Sequence, residues 1–204
     1  MRTWAIIPVK PFEQAKSRLA AALSPDERAE LAEAWFQHVL AVVQAAPEVS
    51  AALVISRDPA ALALAKKWGA QALHEQGDDL NAAWYQATAA AASADAVLLL
   101  PGDLPFIHSD DISAMIALAD APRSVVIAPD QKRDGTNALL IRPPGLIGYA
   151  YGVGSFQRHM AAARAAGLTP RIYESERMLD IDVPDDLAVY YRRLKEEMSI
   201  WQTG

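Results

Sequence analysis

Ala96-Val97-Leu98-Leu99-Leu100-Pro101-Gly102-Asp103-Leu104-Pro105 reads as a strand that is stopped abruptly and followed at once by an acid. Its leading residues are apolar without alternation, the pattern of a strand buried on both faces of a parallel sheet. Pro101 lacks the N–H that a ladder needs, and Gly102 tolerates backbone that other residues avoid, so the strand ends there. In an open α/β sheet, ligands bind outside the carboxyl ends of the strands, and Asp103 points into that space. A carboxylate there suits Mg²⁺, which takes one or two carboxylates and shares its other positions with phosphates and water. Taken alone, the residue is equally well explained as a turn or helix-capping Asp.

The surrounding chain repeats a strand–helix rhythm. Trp4–Val9, Ala51–Ser56, Ala72–His74, Val125–Ala128 and Ala138–Ile141 read as short apolar strands. Amphipathic stretches lie between most of them, the βαβ signature of a doubly wound, mostly parallel α/β sheet with helices on both faces. Ser24-Pro25-Asp26-Glu27 starts one helix, with Ser at the N-cap and Pro at the first position. Trp35 and His38 on that helix are read as packing residues. Asp58-Pro59 opens a second helix. The nearly uncharged helix from Ala82 to Ala92 is expected to be largely buried or to cover something, and such apolar helices could be core or serve a homodimer. Asp110 and Asp111 are explained by the dipole of the helix they begin, and the basic run Arg192, Arg193, Lys195 by the end of the last one.

Composition narrows the class. The 204 residues are 52% hydrophobic and 22% charged, which fits one globular domain spanning 1–204. A net charge of −6 argues against a general nucleic-acid binder, whose phosphate contacts need a basic surface. Without cysteine there is no disulfide framework and no thiolate chemistry. No apolar run is long enough for a membrane span, and Trp4–Val9 is too short for a signal-peptide core, so a cytoplasmic protein is expected.

Four further segments carry polar groups where a buried sheet has little use for them. Lys10, Lys16 and Arg18 follow the first strand, where side-chain cations could cradle a triphosphate in place of a glycine-rich loop. Thr136 and Asn137 sit at the edge of a buried strand and require partners. Gly152-Val153-Gly154-Ser155 opens a helix, whose free N–H groups make a ready anion site, although Ser155 could simply be the N-cap. Asp180 and Asp182, two apart in an extended segment, share one face, and two such carboxylates are most simply reconciled by a cation.

Taken in order, Pro8-Val9-Lys10, Ala15-Lys16-Ser17-Arg18-Leu19, Leu100–Pro105, Gly135-Thr136-Asn137, Gly154-Ser155-Phe156 and Leu179-Asp180-Ile181-Asp182-Val183-Pro184 carry a resemblance. Over nearly its whole length the chain resembles the 2-phospho-L-lactate or phosphoenolpyruvate guanylyltransferases of coenzyme F-420 biosynthesis. The resemblance implies a Rossmann-like nucleotidyltransferase fold, like that of the molybdenum-cofactor and sugar-phosphate nucleotidyltransferases. It also implies transfer of GMP from GTP to the phosphate of a three-carbon phospho-acid. Asp103, Asp180 and Asp182 would then hold Mg²⁺, and Thr136, Gly152 and Ser155 the acceptor phosphate. Lys10, Lys16 and Arg18 would face the GTP phosphates, Asp103, Lys16 and Arg18 being the catalytic set. Leu80 and Asn81 would lie against the nucleotide, in a loop whose usual glycine is Asp79 here, which removes backbone freedom and adds charge.

Two other readings fit the residues less well. Transfer to a molybdopterin or sugar phosphate is usually accompanied by a glycine-rich loop where this chain has Pro8-Val9-Lys10. A non-catalytic GTP-binding regulator would have no need of all three acids.

Overall fold

The computed structural model describes residues 1–77 and 79–202, with side chains up to residue 196. Seven strands form one sheet in the order β3-β2-β1-β4-β6-β5-β7. They are β1 (Thr3–Val9), β2 (Val49–Ser56), β3 (Gln71–His74), β4 (Ala96–Leu99), β5 (Ser124–Pro129), β6 (Thr136–Arg142) and β7 (Arg171–Ile172). β1 pairs in parallel with β2 and β4, and β2 with β3. β6 runs antiparallel to both β4 and β5, and the two-residue β7 extends the far edge.

The central strands β1, β4, β5 and β6 are buried on both faces, as their unbroken apolar runs require, while the edge strands β3 and β7 are not. Ala5, Ile7, Leu98, Leu100, Val126 and Leu140 face one core, shared with α1 (Pro25–Ala45), α2 (Pro59–Lys67) and α4 (Ser109–Leu118). Ile6, Val97, Leu99, Ile127 and Leu139 face the other, under α3 (Leu80–Ala90) and α5 (Ser155–Ala165). A third cluster of Leu19, Trp35, Phe106, Leu179, Ile181, Leu187 and Tyr190 seats α6 (Pro184–Gln202) beside the end of the sheet.

Local signals set several boundaries. Ser24 and Glu27 form a reciprocal capping box at α1, and Asp58 caps α2 through the Ala60 N–H at 2.8 Å. α3 lays Ala83, Trp84 and Ala87 over the second core, as expected, while Tyr85 on its outer side is 54% exposed. The expected place of the basic run is corrected. The basic run is mid-helix, since α6 continues to Gln202, and Arg193 instead donates to the Glu176 carbonyl at 2.8 Å and lies over the Phe106 ring.

Asp111 is no mere dipole partner. Fully buried, it accepts from the His108 N–H, Tyr173, Ser175 and two N–H groups, Nε and Nη2, along one edge of the Arg177 guanidinium at 2.7–3.0 Å. Burial works against its ionisation, but these donors outweigh it and hold the carboxyl below its usual value. The segment that carries Asp180 and Asp182 is thereby anchored to α4. That segment belongs to no strand of the sheet. Its extended side-chain alternation comes instead from Leu179 and Ile181, which are buried in the third cluster.

Candidate active site

The carboxyl ends of β1 and β4 lie side by side, with Ile6 opposite Leu99. The reversal of β6 brings its first residues, Thr136 and Asn137, to the same end of the sheet. Gly102 is favoured there by space and not by a left-handed backbone, since a Cβ would crowd the Phe36 ring at 3.3 Å and Val9 at 3.4 Å. The chain thus turns tightly over the core and delivers Asp103 to the edge of the site.

After β1 the loop is pinned at both ends. Phe12 is buried and its N–H donates to Asp58 at 3.0 Å, while Leu19 is fully buried. Between these anchors Lys16 adopts a left-handed backbone (φ 54°, ψ 36°), a conformation that costs a non-glycine residue about 1 kcal/mol or more. The turn aims its ammonium inward. Nζ lies 2.5 Å from Asp103 Oδ2 and 3.0 Å from Asp182 Oδ1, and 5.5 Å above the Trp35 ring. The Lys16 side chain is only 5% exposed. Burial alone would lower its pKa, but Asp103 and then Asp182 outweigh burial and raise it. Trp35 is therefore both core and floor of the site. His38, which meets the Ile107 carbonyl at 2.9 Å, is packing as expected.

Arg18 reaches Asp182 at 3.4 Å from a side chain that is 74% exposed, leaving its fork open to a ligand. Lys10 is exposed just past β1. Asp180 accepts from Asn137 Nδ2 at 3.1 Å, and the same amide donates to the Met178 carbonyl at 2.9 Å. The need of Asn137 for partners is met by the strap that bears the acids. Burial, and then the nearby carboxylates of Asp103 and Asp182, raise the Asp180 pKa despite the Asn137 bond.

These donors fit a hard divalent cation. Asp103 and Asp182 already converge on one positive charge, the Lys16 ammonium, and half-buried Asp180 beside them carries a carboxyl whose pKa is raised by burial and then by those two acids. Among the described residues no three acidic or histidine side chains form a ready-made cage. Mg²⁺ does not need one, because phosphates and water complete its shell.

The Gly152 loop departs from the expected anion site. The N-terminus of α5 is occupied by Asp134, whose carboxylate takes the Gly154 N–H at 3.0 Å and whose carbonyl takes the Phe156 N–H at 3.0 Å. The N-cap is Gly154 in left-handed backbone (φ 71°), so Ser155 stands one position inside the helix. Its buried hydroxyl lies 3.4 Å from Thr136 Oγ1. Thr136 and Ser155 are thus brought together, with Gly152 (φ 115°) three residues before Ser155.

Among the described residues no hydrogen bond links Leu80 or Asn81 to the lysine–aspartate cluster. The Asn81 amide is committed to the backbone of Tyr151, accepting its N–H at 2.7 Å and donating to its carbonyl at 3.4 Å. It links α3 to the Gly152 loop. Asp79 is compatible with its place, since its backbone is extended (φ −143°) and its carboxylate caps α3 through the Ala82 N–H at 3.0 Å.

The profile of the guanylyl transferase CofC-like family matches residues 3–191. The chain belongs to that family. This CofC-like protein is 43% identical over 190 residues to a phosphoenolpyruvate guanylyltransferase of Sphaerobacter thermophilus, covering 92% of this chain and 91% of that one. It is 41% identical to the phosphoenolpyruvate guanylyltransferase of Rubrobacter xylanophilus, over 92% and 93% of the two chains. The 2-phospho-L-lactate guanylyltransferase of Methanothermobacter thermautotrophicus is 39% identical over 92% of this chain and 83% of its own. The fold matches a solved structure from Desulfovibrio desulfuricans G20, assigned as a nucleotide-diphospho-sugar transferase. The TM-score is 0.79 at 20% identity, over 95% and 88% of the chains. The protein is a guanylyltransferase of the nucleotidyltransferase class. Among the described residues no helix is long and apolar enough to cross a membrane.

Proposed function

We propose that this protein transfers GMP from GTP to the phosphate of a three-carbon phospho-acid, phosphoenolpyruvate before 2-phospho-L-lactate, as a cytoplasmic step of coenzyme F-420 biosynthesis. An oxygen of the acceptor phosphate attacks the α-phosphorus, the bond from that phosphorus to the bridging oxygen breaks, and pyrophosphate leaves. The nucleophile is already ionised, so no strong general base is needed. The difficulty is to hold two polyanions together in line, which is a matter of positioning and electrostatics.

The observation that carries this reading is the meeting of Lys16 with Asp103 and Asp182 beside Asp180, at the end of the sheet to which Thr136 is delivered. Asp103, Asp180 and Asp182 would hold Mg²⁺, which when bound neutralises charge shared between the α-phosphate and the acceptor phosphate. Lys16, Arg18 and Lys10 neutralise the triphosphate as it becomes pyrophosphate. Thr136 and Ser155, with Gly152 beside them, hold the acceptor phosphate through their hydroxyls, since Asp134 already takes the Gly154 and Phe156 N–H groups of the α5 N-terminus. The relatives named for phosphoenolpyruvate, at 43% and 41% identity, favour that acceptor.

Pyrophosphate release from GTP with Mg²⁺, measured with phosphoenolpyruvate, 2-phospho-L-lactate and 3-phosphoglycerate in turn, tests the proposal. Release is expected only when an acceptor is present, and fastest with phosphoenolpyruvate. GTP binding with no release for any of the three would contradict it.

A further inference from the structure

His159 is fully buried on α5, four residues after Ser155 and so on the same helical face. Its Nε2 lies 3.0 Å from the Ala150 backbone nitrogen. A backbone N–H can only donate, so Nε2 must be the unprotonated nitrogen. The single proton of the neutral ring is then on Nδ1, 2.9 Å from Thr136 Oγ1, and Nδ1 donates to that hydroxyl. Burial, aided by the Arg158 charge, lowers the imidazole pKa to about 4 and keeps this neutral form. The Tyr151 ring packs edge-on against it, and the Arg158 guanidinium grips the Ala150 carbonyl with two bonds of 2.8 and 3.0 Å.

The tautomer decides what the two hydroxyls can offer. With Nδ1–H donating to Thr136, the 3.4 Å contact between Thr136 and Ser155 consumes one hydroxyl hydrogen, whichever way it runs. One hydrogen of the pair is left over, and neither hydroxyl has another side-chain hydrogen bond among the described residues. With the opposite tautomer, Thr136 would donate to Nδ1 and Ser155 to Thr136, and none would remain. A phosphate dianion only accepts hydrogen bonds, so it needs the first arrangement.

We propose that His159 is a positioning residue of the acceptor-phosphate subsite, acting as the neutral Nδ1–H tautomer that turns the Thr136–Ser155 pair into a net donor. Its acceptance from Ala150 also fixes the backbone that leads to Gly152. The proposal rests on the reading of Thr136, Gly152 and Ser155 as the phosphate site, and goes beyond it by naming the group that polarises them.

Long-range ¹H–¹⁵N correlation of histidine-labelled protein near pH 7 reads the tautomer directly. The Nδ1–H form is expected at His159, and the Nε2–H form would overturn the proposal. Kinetically, His159→Phe is expected to raise the acceptor KM about tenfold or more while the GTP KM moves less than about twofold. His159→Asn, whose amide N–H can stand near the Nδ1 position, is expected to recover most of that loss. Adding His159→Phe to Thr136→Val should raise the acceptor KM no further. An unchanged acceptor KM, equal rises in both KM values, or additive effects would overturn the inference. If the wild type transferred GMP to no phospho-acid, the acceptor reading would fail separately. Inorganic phosphate titrated onto the labelled protein would then decide the role of His159 alone. Phosphate-dependent shifts of the imidazole signal and about tenfold weaker binding by His159→Phe would support it, and their absence would overturn it.

Discussion

Lys16 Nζ sits 2.5 Å from Oδ2 of Asp103, although 87 positions separate the two residues. The contact joins the loop after β1 to the loop after β4, two neighbouring parallel strands, and extends to Asp182 on the strap before α6. One buried ammonium thus holds three distant parts of the chain at one point, where like charges would otherwise force them apart.

Replacing Lys16 with Met should therefore harm both chemistry and stability. Loss of a preorganised cation from a water-poor site lowers kcat by about 10²–10³. Steady-state rates and a thermal melt check this, and both should fall. A variant with a lowered melting temperature but normal kcat would show the contact to be structural only.

Asp111→Asn keeps the shape of the Asp111 network but removes its charge. The variant should lose about 2–4 kcal/mol of stability, since Arg177 is left without its counter-charge. The folded pKa of Asp111 is depressed, so its contribution is present above the unfolded carboxylate value and is lost as pH falls through the lower folded value. Urea unfolding of wild type and variant at neutral and strongly acid pH should show the gap closing in acid.

His159 gives a separate pH dependence. Its pKa is about 4 in the fold against 6.5 ordinarily, so below pH 6.5 the unfolded chain binds the extra proton. Stability should decline between pH 6.5 and about 4, by up to about 3 kcal/mol from this group. Urea midpoints for wild type and His159→Phe across that window check it, with the variant showing the flatter profile.

Gly152 and Gly154 separate two kinds of backbone demand. Gly154 has ordinary left-handed geometry with open space at its Cβ position, so Gly154→Ala should cost about 1 kcal/mol and little activity. Gly152 sits at φ 115°, where an L side chain is strained, and its Cβ would approach Arg158 at 3.4 Å. Gly152→Ala should cost about 1–3 kcal/mol and raise the acceptor KM well above that of Gly154→Ala.

Elements marked by local chemistry were legible in the sequence. The Ser24-Pro25 and Asp58-Pro59 helix starts, the unbroken apolar run of β4 and the isolation of Asp103 beyond Pro101-Gly102 all depend on neighbouring residues. Pairings across long stretches of chain were not. Asp134 capping α5, Asp111 holding Arg177 and the reversal of β6 depend on which strands meet, which local pattern does not specify. Asn137 lay between these cases. Its position demanded a partner, but only the fold identifies Asp180 and Met178. The one signal for His159 was its place one turn after Ser155, and that spacing is too common to read without the fold.

We propose that Asp103, Asp180 and Asp182 act together on a cation as two phosphates are joined. It is tested most directly by pyrophosphate release from GTP and phosphoenolpyruvate in Mg²⁺, comparing the wild type with Asp103→Asn. The variant should melt as a folded protein and lose about 10²-fold or more of its turnover. Retention of more than about a tenth of the activity, a loss under about 1.4 kcal/mol of transition-state stabilisation, would contradict it.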